Sequence, residues 1–416
     1  MERTYESAAA LAARAVGPLA PHLGAYASWL TAKRYRIDCV YIKTRHGLAF
    51  DRWLHASTVA LADVDERRIA QYQDGDSHRR KVRRVDTRRI ERCALIQLLH
   101  FLREQGAVGS ARVATLPSDD VVAGFERHLQ VERGLAETTI ERCATTAQQF
   151  LSARFGTGEV DLRALRASDV VQFVQHEAKR LRPPGTRSVV TGLRSFLRYV
   201  QYCGEVGPEL VFSVPKVAAW SMTSPLPKAI SAEHAQAALD SCDRASALGR
   251  RDYAVLLILA RLGLRADEII KLQLDDIDWD SGHLRVRGKG GRECLMPLPV
   301  DVGEAIATYA ADGRPNSADR HLFLRSTAPI RGLKDGSYAV GAIVGRALRR
   351  AHVDAPHRGS HQFRHALAVR MLQRGASLSE IGEVLRHRSP QSTSIYARVD
   401  LEALRALAPA WPGGAR

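Results

Sequence analysis

The stretch "GHLRVRGKGGRECLMPLP", residues 282–299, breaks the rhythm of the rest of the chain. Leu284 and Val286 alternate with His283, Arg285 and Arg287, glycines then interrupt, and apolar residues resume. Alternation with period two marks a half-buried strand, and a glycine-rich break between two such runs marks a tight turn, so an antiparallel hairpin is expected here. Elsewhere apolar positions recur at three and four, as in Tyr26 and Leu30, Phe125 and Leu129, or Phe196, Tyr199 and Val200. That is the stripe of amphipathic helices. The expected fold class is therefore mainly α with a small antiparallel sheet.

Outward from the hairpin, "SAEHAQAALDSC" and "RRDYAVLLILARLGLRADEIIKLQ" read as helices before it, and helical periodicity returns after it to about residue 410. Residues 227–412 thus form one region. Upstream, "GPELVFSVPKVAAWSMTSPLPKAI" (207–230) carries four prolines without a sustained helical period, and 207–226 is expected to be a linker. Two earlier segments resemble each other. "LGAYASWLTAKRYRIDCVYIKTRHGLAFDRWL" (23–54) aligns with "VAGFERHLQVERGLAETTIERCATTAQQFLSARF" (122–155), and "VALADVDERRIAQY" (59–72) with "VDLRALRASDVVQF" (160–173). An offset held near 99 residues implies a duplicated unit of about 85 residues, each copy a small helical bundle, over 1–110 and 116–206.

Charge narrows the function class. Sixty-one Lys and Arg against 45 Asp and Glu leave a net charge of +16, which favours a polyanionic partner, nucleic acid above all. The basic residues cluster beside Ser and Thr in "SHRRKVRRVDTRRIER" (77–92) and "KRLRPPGTRSVVTGLRSFLR" (179–198). Arg79, Arg80, Arg83, Arg84, Lys179, Arg180, Arg187 and Arg194 are the candidate phosphate contacts, although either run taken alone is equally a solvated helix face. No apolar run reaches the roughly 18 residues of a membrane span. The N-terminal residues lack the apolar segment and cleavage site of a signal peptide. The six cysteines lie far apart, which suggests reduced, mostly buried thiols in a cytoplasmic protein.

Four short motifs between 263 and 400 carry the chemistry. "GLRADEI" puts Arg265 and Glu268 on one helix face, "RGKGGRE" puts Lys289 in the hairpin turn, and "HQFRH" spaces His361 and Arg364 by three. "LRHRSPQSTSIYARVD" (385–400) sets His387 nine residues before Tyr396. Singly, each has a plain structural reading: a surface ion pair, a solvated lysine, a core tyrosine. His357, His361 and His365 fall at helical spacing, but Pro356 and Gly359 interrupt the helix and no carboxylate accompanies them, so no metal site is expected. Together, two arginines, a lysine, two histidines and a tyrosine suit attack on a phosphodiester. Guanidinium forks stabilise the charge on the nonbridging oxygens, the phenol must lose a proton and the departing sugar oxygen must gain one. A tyrosyl phosphate ester conserves the bond energy for rejoining, so no cofactor is required.

The ordered set Arg265, Lys289, His361, Arg364, His387, Tyr396 resembles the tyrosine recombinases of the phage-integrase and Xer group, over the whole of 225–412, and 116–206 resembles that family's helical core-binding domain. The resemblance implies that Tyr396 attacks the scissile phosphate, giving a 3′-phosphotyrosyl link and a free 5′-hydroxyl. Arg265 and Arg364 clamp the nonbridging oxygens, Lys289 protonates the leaving oxygen, His361 assists proton transfer with the tyrosine, His387 bonds the phosphate, and Glu268 supports the site from behind. It further implies double-stranded DNA at specific sites as partner, and strand exchange through a Holliday junction in a homotetramer. Two features depart from the family pattern. Arg386 stands where the family block has a glycine, so the loop must accept a bulky side chain, and Arg386 is a candidate extra phosphate contact. The chain also carries two core-binding-like copies, the first of which should lengthen the DNA footprint. The ending "LEALRALAPAWPGGAR" resembles transposon-encoded members that act with sister recombinases, and its apolar face Leu401, Leu404, Leu407 would pack on a neighbouring subunit or close its own domain. The competing readings are a type IB topoisomerase-like or hairpin-resolving enzyme, and a DNA-binding accessory protein.

Overall fold

The computed structural model describes residues 7–77, 85–109, 116–215, 229–288, 292–334, 336–355 and 359–399. They fall into two compact units, one drawn from 1–110 and 225–416, the other from 111–224.

In the first unit, helices Ala20–Ala32, Ile37–Ala56, Glu66–Ser77 and Val85–Glu104 enclose Leu19, Leu23, Tyr26, Leu30, Phe50, Leu54, Leu98 and Phe101. Tyr26 and Phe101 meet with ring centroids 5.4 Å apart. Asp51, fully buried, accepts the backbone N–H groups of Val16, Gly17 and Leu19 at 3.1, 2.8 and 2.7 Å. It thereby supplies a partner to amides at the entry of helix Ala20–Ala32 that have none within the helix. A Cβ on Gly17 would lie 2.5 Å from the Asp51 carbonyl oxygen, so only glycine allows this approach.

The second unit repeats the same order of elements. Ile37–Ala56 answers to Glu137–Phe155, the 3₁₀ turn Leu61–Asp63 to Leu162–Ala164, Glu66–Ser77 to Ala167–Arg180, and Val85–Glu104 to Pro183–Tyr202. Its core holds Phe125, Phe150, Phe173 and Phe196, with Phe125–Phe196 and Phe150–Phe173 edge-on at 5.4 and 5.3 Å. The segment expected to be a linker from residue 207 instead opens with a short helix, Pro208–Phe212, whose Leu210 and Val211 enter this core together with Val214. Pro208 begins the helix, where its missing N–H costs nothing, so a proline that reads as a break in sequence is here a start.

The rest of the first unit is built on helix Ala247–Leu262. Val255, Leu256, Leu257, Ile258 and Leu259 are all buried, which is the pattern of a helix enclosed on every side. The expected sheet is three-stranded and antiparallel, β1 (Ile277–Asp278), β2 (His283–Arg287) and β3 (Glu293–Pro297). Leu284 pairs with Met296 and Val286 with Cys294; Leu284, Val286 and Met296 face the core, and the Gly288 N–H closes on the Arg292 carbonyl at 2.7 Å. Helices Val300–Asp312, Gly336–Arg350, His361–Gln373 and Leu378–Val384 follow, then the turns Pro390–Thr393 and Ser394–Val399. A small satellite core of Leu367, Ala368, Ile381, Leu385 and Tyr396 seats the last of these against helix His361–Gln373. All six cysteines are free, but Cys39, Cys93 and Cys203 are exposed, contrary to the expected burial. Cys39 and Cys93 lie on the solvent side of their helices and Cys203 caps the end of helix Pro183–Tyr202, which the spacing of the cysteines did not encode. Among the described residues no helix is long and apolar enough to cross a membrane.

Candidate active site

The site begins where helix Ala247–Leu262 stops. Gly263 takes the left-handed conformation (φ +59°) that ends many helices, and a Cβ there would lie 2.9 Å from the methyls of Leu367 and Leu385. The chain turns into Arg265, the N-cap of the short helix Ala266–Lys271. Glu268, in its first turn, accepts the Arg265 backbone N–H on Oε2 and the Arg265 Nη1 on Oε1, both at 2.8 Å. Glu268 is 3% exposed, so this is a buried brace and not a surface ion pair. Burial alone would raise its carboxyl. Arg386 and then Arg265 outweigh that effect and hold it below the ordinary carboxylate value.

Helix His361–Gln373 supplies Arg364, which is buried. One Nη donates to the Gly263 carbonyl and the other to the Leu385 carbonyl, so the guanidinium joins the ends of two helices. Burial, then the charges of Arg265 and Arg386, lower its pKa to about 10, which still leaves it charged at neutral pH. The next residue's carbonyl, that of Arg386, accepts from Arg265 Nη2 at 3.4 Å. Successive carbonyls of the turn at 385–386 therefore hold one site arginine each.

Tyr396 is 1% exposed, and burial raises its phenol above the ordinary value despite the opposing charge of Arg364. Its hydroxyl lies 2.9 Å from Nδ1 of His365. Burial, then His361 and Arg364, lower the His365 pKa, so the imidazole is neutral at neutral pH and Nδ1 accepts the phenolic O–H when the ring proton is on Nε2. His361 stands one helical turn away, its ring centroid 6.2 Å from that of His365, and is lowered by partial desolvation and by Arg364 and Arg265. His387 lies parallel to the Tyr396 ring at 6.4 Å and is fixed by Nδ1 to the Thr393 hydroxyl at 2.7 Å. Burial, then Arg364 and Arg265, push its pKa down to about 4. The assembled site is thus an excess of positive charge around a protonated phenol and three neutral imidazoles, a field suited to an incoming phosphate diester.

Of the residues singled out in sequence, Arg265, Glu268, Arg364, His387 and Tyr396 converge here, with His361 at the edge. Lys289 lies outside the described residues, as do Arg79, Arg80, Arg83, Arg84, His357, Leu401, Leu404 and Leu407. Arg386 does not reach outward for a phosphate. Its Nη2 meets Glu268 Oε2 at 2.8 Å and its Nη1 meets the Met296 sulfur on β3. In the 111–224 unit, Lys179, Arg180 and Arg187 are exposed, with Arg180 bound to Glu177 at 2.6 Å. Arg194 donates to the Val214 carbonyl at 3.3 Å and, with Arg133, Arg198, Thr191, Ser195 and Tyr202, lines a basic cavity of about 530 Å³. A second basic cavity, about 370 Å³, is lined by Arg325, Arg331, Lys334 and Arg346 beside Ser326 and Thr327 in the region after the sheet. Sequence reasoning weighed His365 only as a metal ligand and did not single out Arg133. The signal for His365 was present in "HQFRH", four residues after His361, but spacing alone does not say which histidine meets the tyrosine.

The phage integrase family model matches residues 228–402. A putative integrase/recombinase of Sinorhizobium fredii, y4rA, is 45% identical over 403 residues, covering 96% of this chain and 96% of its own. The tyrosine recombinase XerD of Listeria monocytogenes is 29% identical over 290 residues, covering 68% of this chain and 94% of its own. Among solved structures, the lambda integrase tetramer bound to a Holliday junction has the same fold, with a TM-score of 0.51 at 14% identity over 73% of this chain and 86% of that one.

Proposed function

This chain belongs to the phage integrase family and is a tyrosine recombinase, and from that premise we propose that it cuts and rejoins double-stranded DNA at specific sites through a 3′-phosphotyrosyl intermediate. Tyr396 Oη forms the new bond to phosphorus while the bond from phosphorus to the 5′-oxygen breaks. His365 receives the phenolic proton, His361 extending the relay behind it. Arg265 and Arg364 hold the nonbridging oxygens, His387 adds a bond to one of them, and Lys289 gives the 5′-oxygen its proton. Attack by the 5′-hydroxyl of a second strand reverses these steps, and two rounds exchange both strands through a Holliday junction. The tetramer seen for lambda integrase on such a junction supports a homotetramer on DNA here. No metal or cofactor enters the balance. The two basic cavities and the exposed Lys179 and Arg187 supply the backbone contacts, and the first helical copy, with the same element order as the second, acts as a further DNA-binding module. The kinship with integrase/recombinases points to integration and excision of a mobile element in the cytoplasm, with sister recombinases as candidate partners.

The observation that carries this reading is the 2.9 Å contact of a buried tyrosine hydroxyl with a neutral histidine, beside two arginines held by main-chain carbonyls. The test is covalent trapping on labelled, nicked DNA from the ends of the protein's own genetic element. A denaturant-stable protein–DNA band that vanishes with Tyr396→Phe is expected. A band that survives Tyr396→Phe would overturn the nucleophile, and tight binding without any band would make the protein an accessory factor.

A further inference from the structure

Arg386 is an arginine in a conformation that glycine adopts freely. Its φ is +54°, in the left-handed region where a Cβ crowds the backbone, at the turn that ends helix Leu378–Val384. Its N–H closes that turn on the Glu383 carbonyl at 2.9 Å. A side chain accepted at such a position must gain something that glycine lacks. The gain here is visible: the guanidinium is largely buried, 14% exposed, with Nη2 on Glu268 Oε2 at 2.8 Å and Nη1 against Met296 of β3. Glu268 in turn grips Arg265 by backbone and side chain, and the Arg386 carbonyl returns to Arg265 Nη2. The four contacts close a ring from Arg265 to Glu268 to Arg386 and back to Arg265, and Met296 anchors that ring to strand β3.

We infer that Arg386 is a positioning residue: through Glu268 it fixes the Arg265 guanidinium in the orientation that receives the phosphate, and it does not itself touch DNA. The inference rests on the recombinase reading above. The geometry separates this role from a phosphate contact, because both Nη atoms of Arg386 already have partners inside the protein while the Arg265 side chain remains 34% exposed. It also separates the role from mere filling of space, since the carboxylate that Arg386 engages is the one that Arg265 needs. Groups facing Glu268 are Arg265 at the start of its own helix, Arg386 from the turn and Arg364 from helix His361–Gln373, all of them positive, so the loss of one arginine leaves the carboxylate ionised but free to shift.

The experiment compares the full-length wild type with Arg386→Met, Arg386→Gly, Arg386→Lys and Glu268→Gln, alone and with each Arg386 change added to Glu268→Gln. Two readouts are taken: the single-turnover rate of covalent adduct formation at saturating protein, and the salt dependence of noncovalent binding in a Tyr396→Phe background. Arg386→Met and Arg386→Gly should slow adduct formation by about ten- to a hundredfold, the cost of a misplaced clamp, while the salt slope stays unchanged. Lysine, which keeps the charge, should recover part of the rate. In the Glu268→Gln background the Arg386 changes should have almost no further effect, because both act through the same contact. A salt slope shallower by about 0.9 would make Arg386 a phosphate contact and overturn the inference. So would an unchanged rate, or effects of Arg386 and Glu268 that simply multiply. If even the wild type forms no adduct that depends on Tyr396, the recombinase reading fails and the catalytic role of Arg386 fails with it. The tie itself is still judged by thermal melting: Arg386→Met should lower Tm in the wild type but not in Glu268→Gln, and an equal loss in both would overturn the tie as well.

Discussion

His365 offers the sharpest test of the proposed chemistry. Its Nδ1 is 2.9 Å from the Tyr396 hydroxyl, and burial keeps the phenol protonated well above neutral pH, so cleavage needs a base at that position. A positioned base contributes about 10²–10⁴-fold. His361 is a second lowered-pKa imidazole one turn along the same helix, its ring centroid 6.2 Å from that of His365, so the lower end is taken, about 100-fold, or ~2.7 kcal/mol on the barrier. The informative change is His365→Gln, which keeps a hydrogen-bond partner for the phenol but cannot take its proton. His365→Phe would also leave a buried hydroxyl unpartnered, adding about 1–3 kcal/mol of instability that confuses the result. The assay is single-turnover adduct formation on nicked DNA from pH 5 to 9. His365 has its pKa lowered, so it is neutral and active as a base above its ordinary value of 6.5, and the wild-type rate should be flat across neutral pH and fall only on the acid side. In His365→Gln the rate should be about 100-fold lower at pH 7 and climb steadily to pH 9, as phenolate forms without help. A His365→Gln protein within threefold of wild type that retained the flat profile would refute the assignment.

Three further outcomes follow from the same geometry. Gly263→Ala places a Cβ at φ +59° and 2.9 Å from Leu367 and Leu385, so urea denaturation should show a loss of about 1–3 kcal/mol, with slower cleavage because the Gly263 carbonyl holds Arg364. His387, at about 4 in the folded protein against an ordinary 6.5, binds its proton more weakly folded than unfolded, so stability should fall as pH drops through the window from 6.5 to 4. Discounted for its partial exposure, the loss is about 1–2 kcal/mol, and His387→Gln should flatten that part of a pH–stability curve measured in urea. Replacing Arg79, Arg80, Arg83 and Arg84 by alanine should make the salt dependence of DNA binding shallower by about 0.9 for each arginine that had met a phosphate, and shorten the nuclease footprint; an unchanged slope and footprint would make the first helical copy a protein-interaction module.

The parts of the molecule legible in the sequence are those set by local periodicity. Leu284, Val286 and Met296 face the core of the sheet as their alternation requires, and Tyr26, Leu30, Phe125 and Leu129 are buried as the helical spacing requires. β1, two residues long, is too short to show any period and owes its existence to its pairing with β2. The motifs of the site were legible as a set but not as a geometry. Arg265 and Glu268 at a spacing of three read equally as a surface pair, and the other arginine that meets the buried Glu268 carboxylate, Arg386, stands 118 residues further along from Glu268. Arg386 was visible as an oddity. Its side chain could not be aimed from sequence, because a left-handed residue at a helix end sends its Cβ where no helical pattern points. The choice between His361 and His365 turned on the final turn Ser394–Val399 docking against helix His361–Gln373, a long-range packing event with no local signature.

On the proposed chemistry, the arrangement of the arginines explains why a motif of scattered residues is needed at all. A guanidinium that must present one edge to a phosphate has to be held by its other edges, and a carboxylate partner alone would neutralise the charge the reaction uses. Neutral carbonyls avoid that loss. Arg364 is held wholly by carbonyls, those of Gly263 and Leu385, and Arg265 shares its one carboxylate with a third arginine, so the group keeps a net positive charge. Carbonyls are free to serve in this way only where a helix ends, because within the helix each is already bonded. The site therefore falls at the ends of helices Ala247–Leu262 and Leu378–Val384, and each end turns through a left-handed residue, Gly263 in one case and Arg386 in the other. Both turns direct a main-chain oxygen at an arginine, and the chain supplies glycine where a Cβ would strike neighbouring methyls and arginine where the side chain has a buried acid to meet.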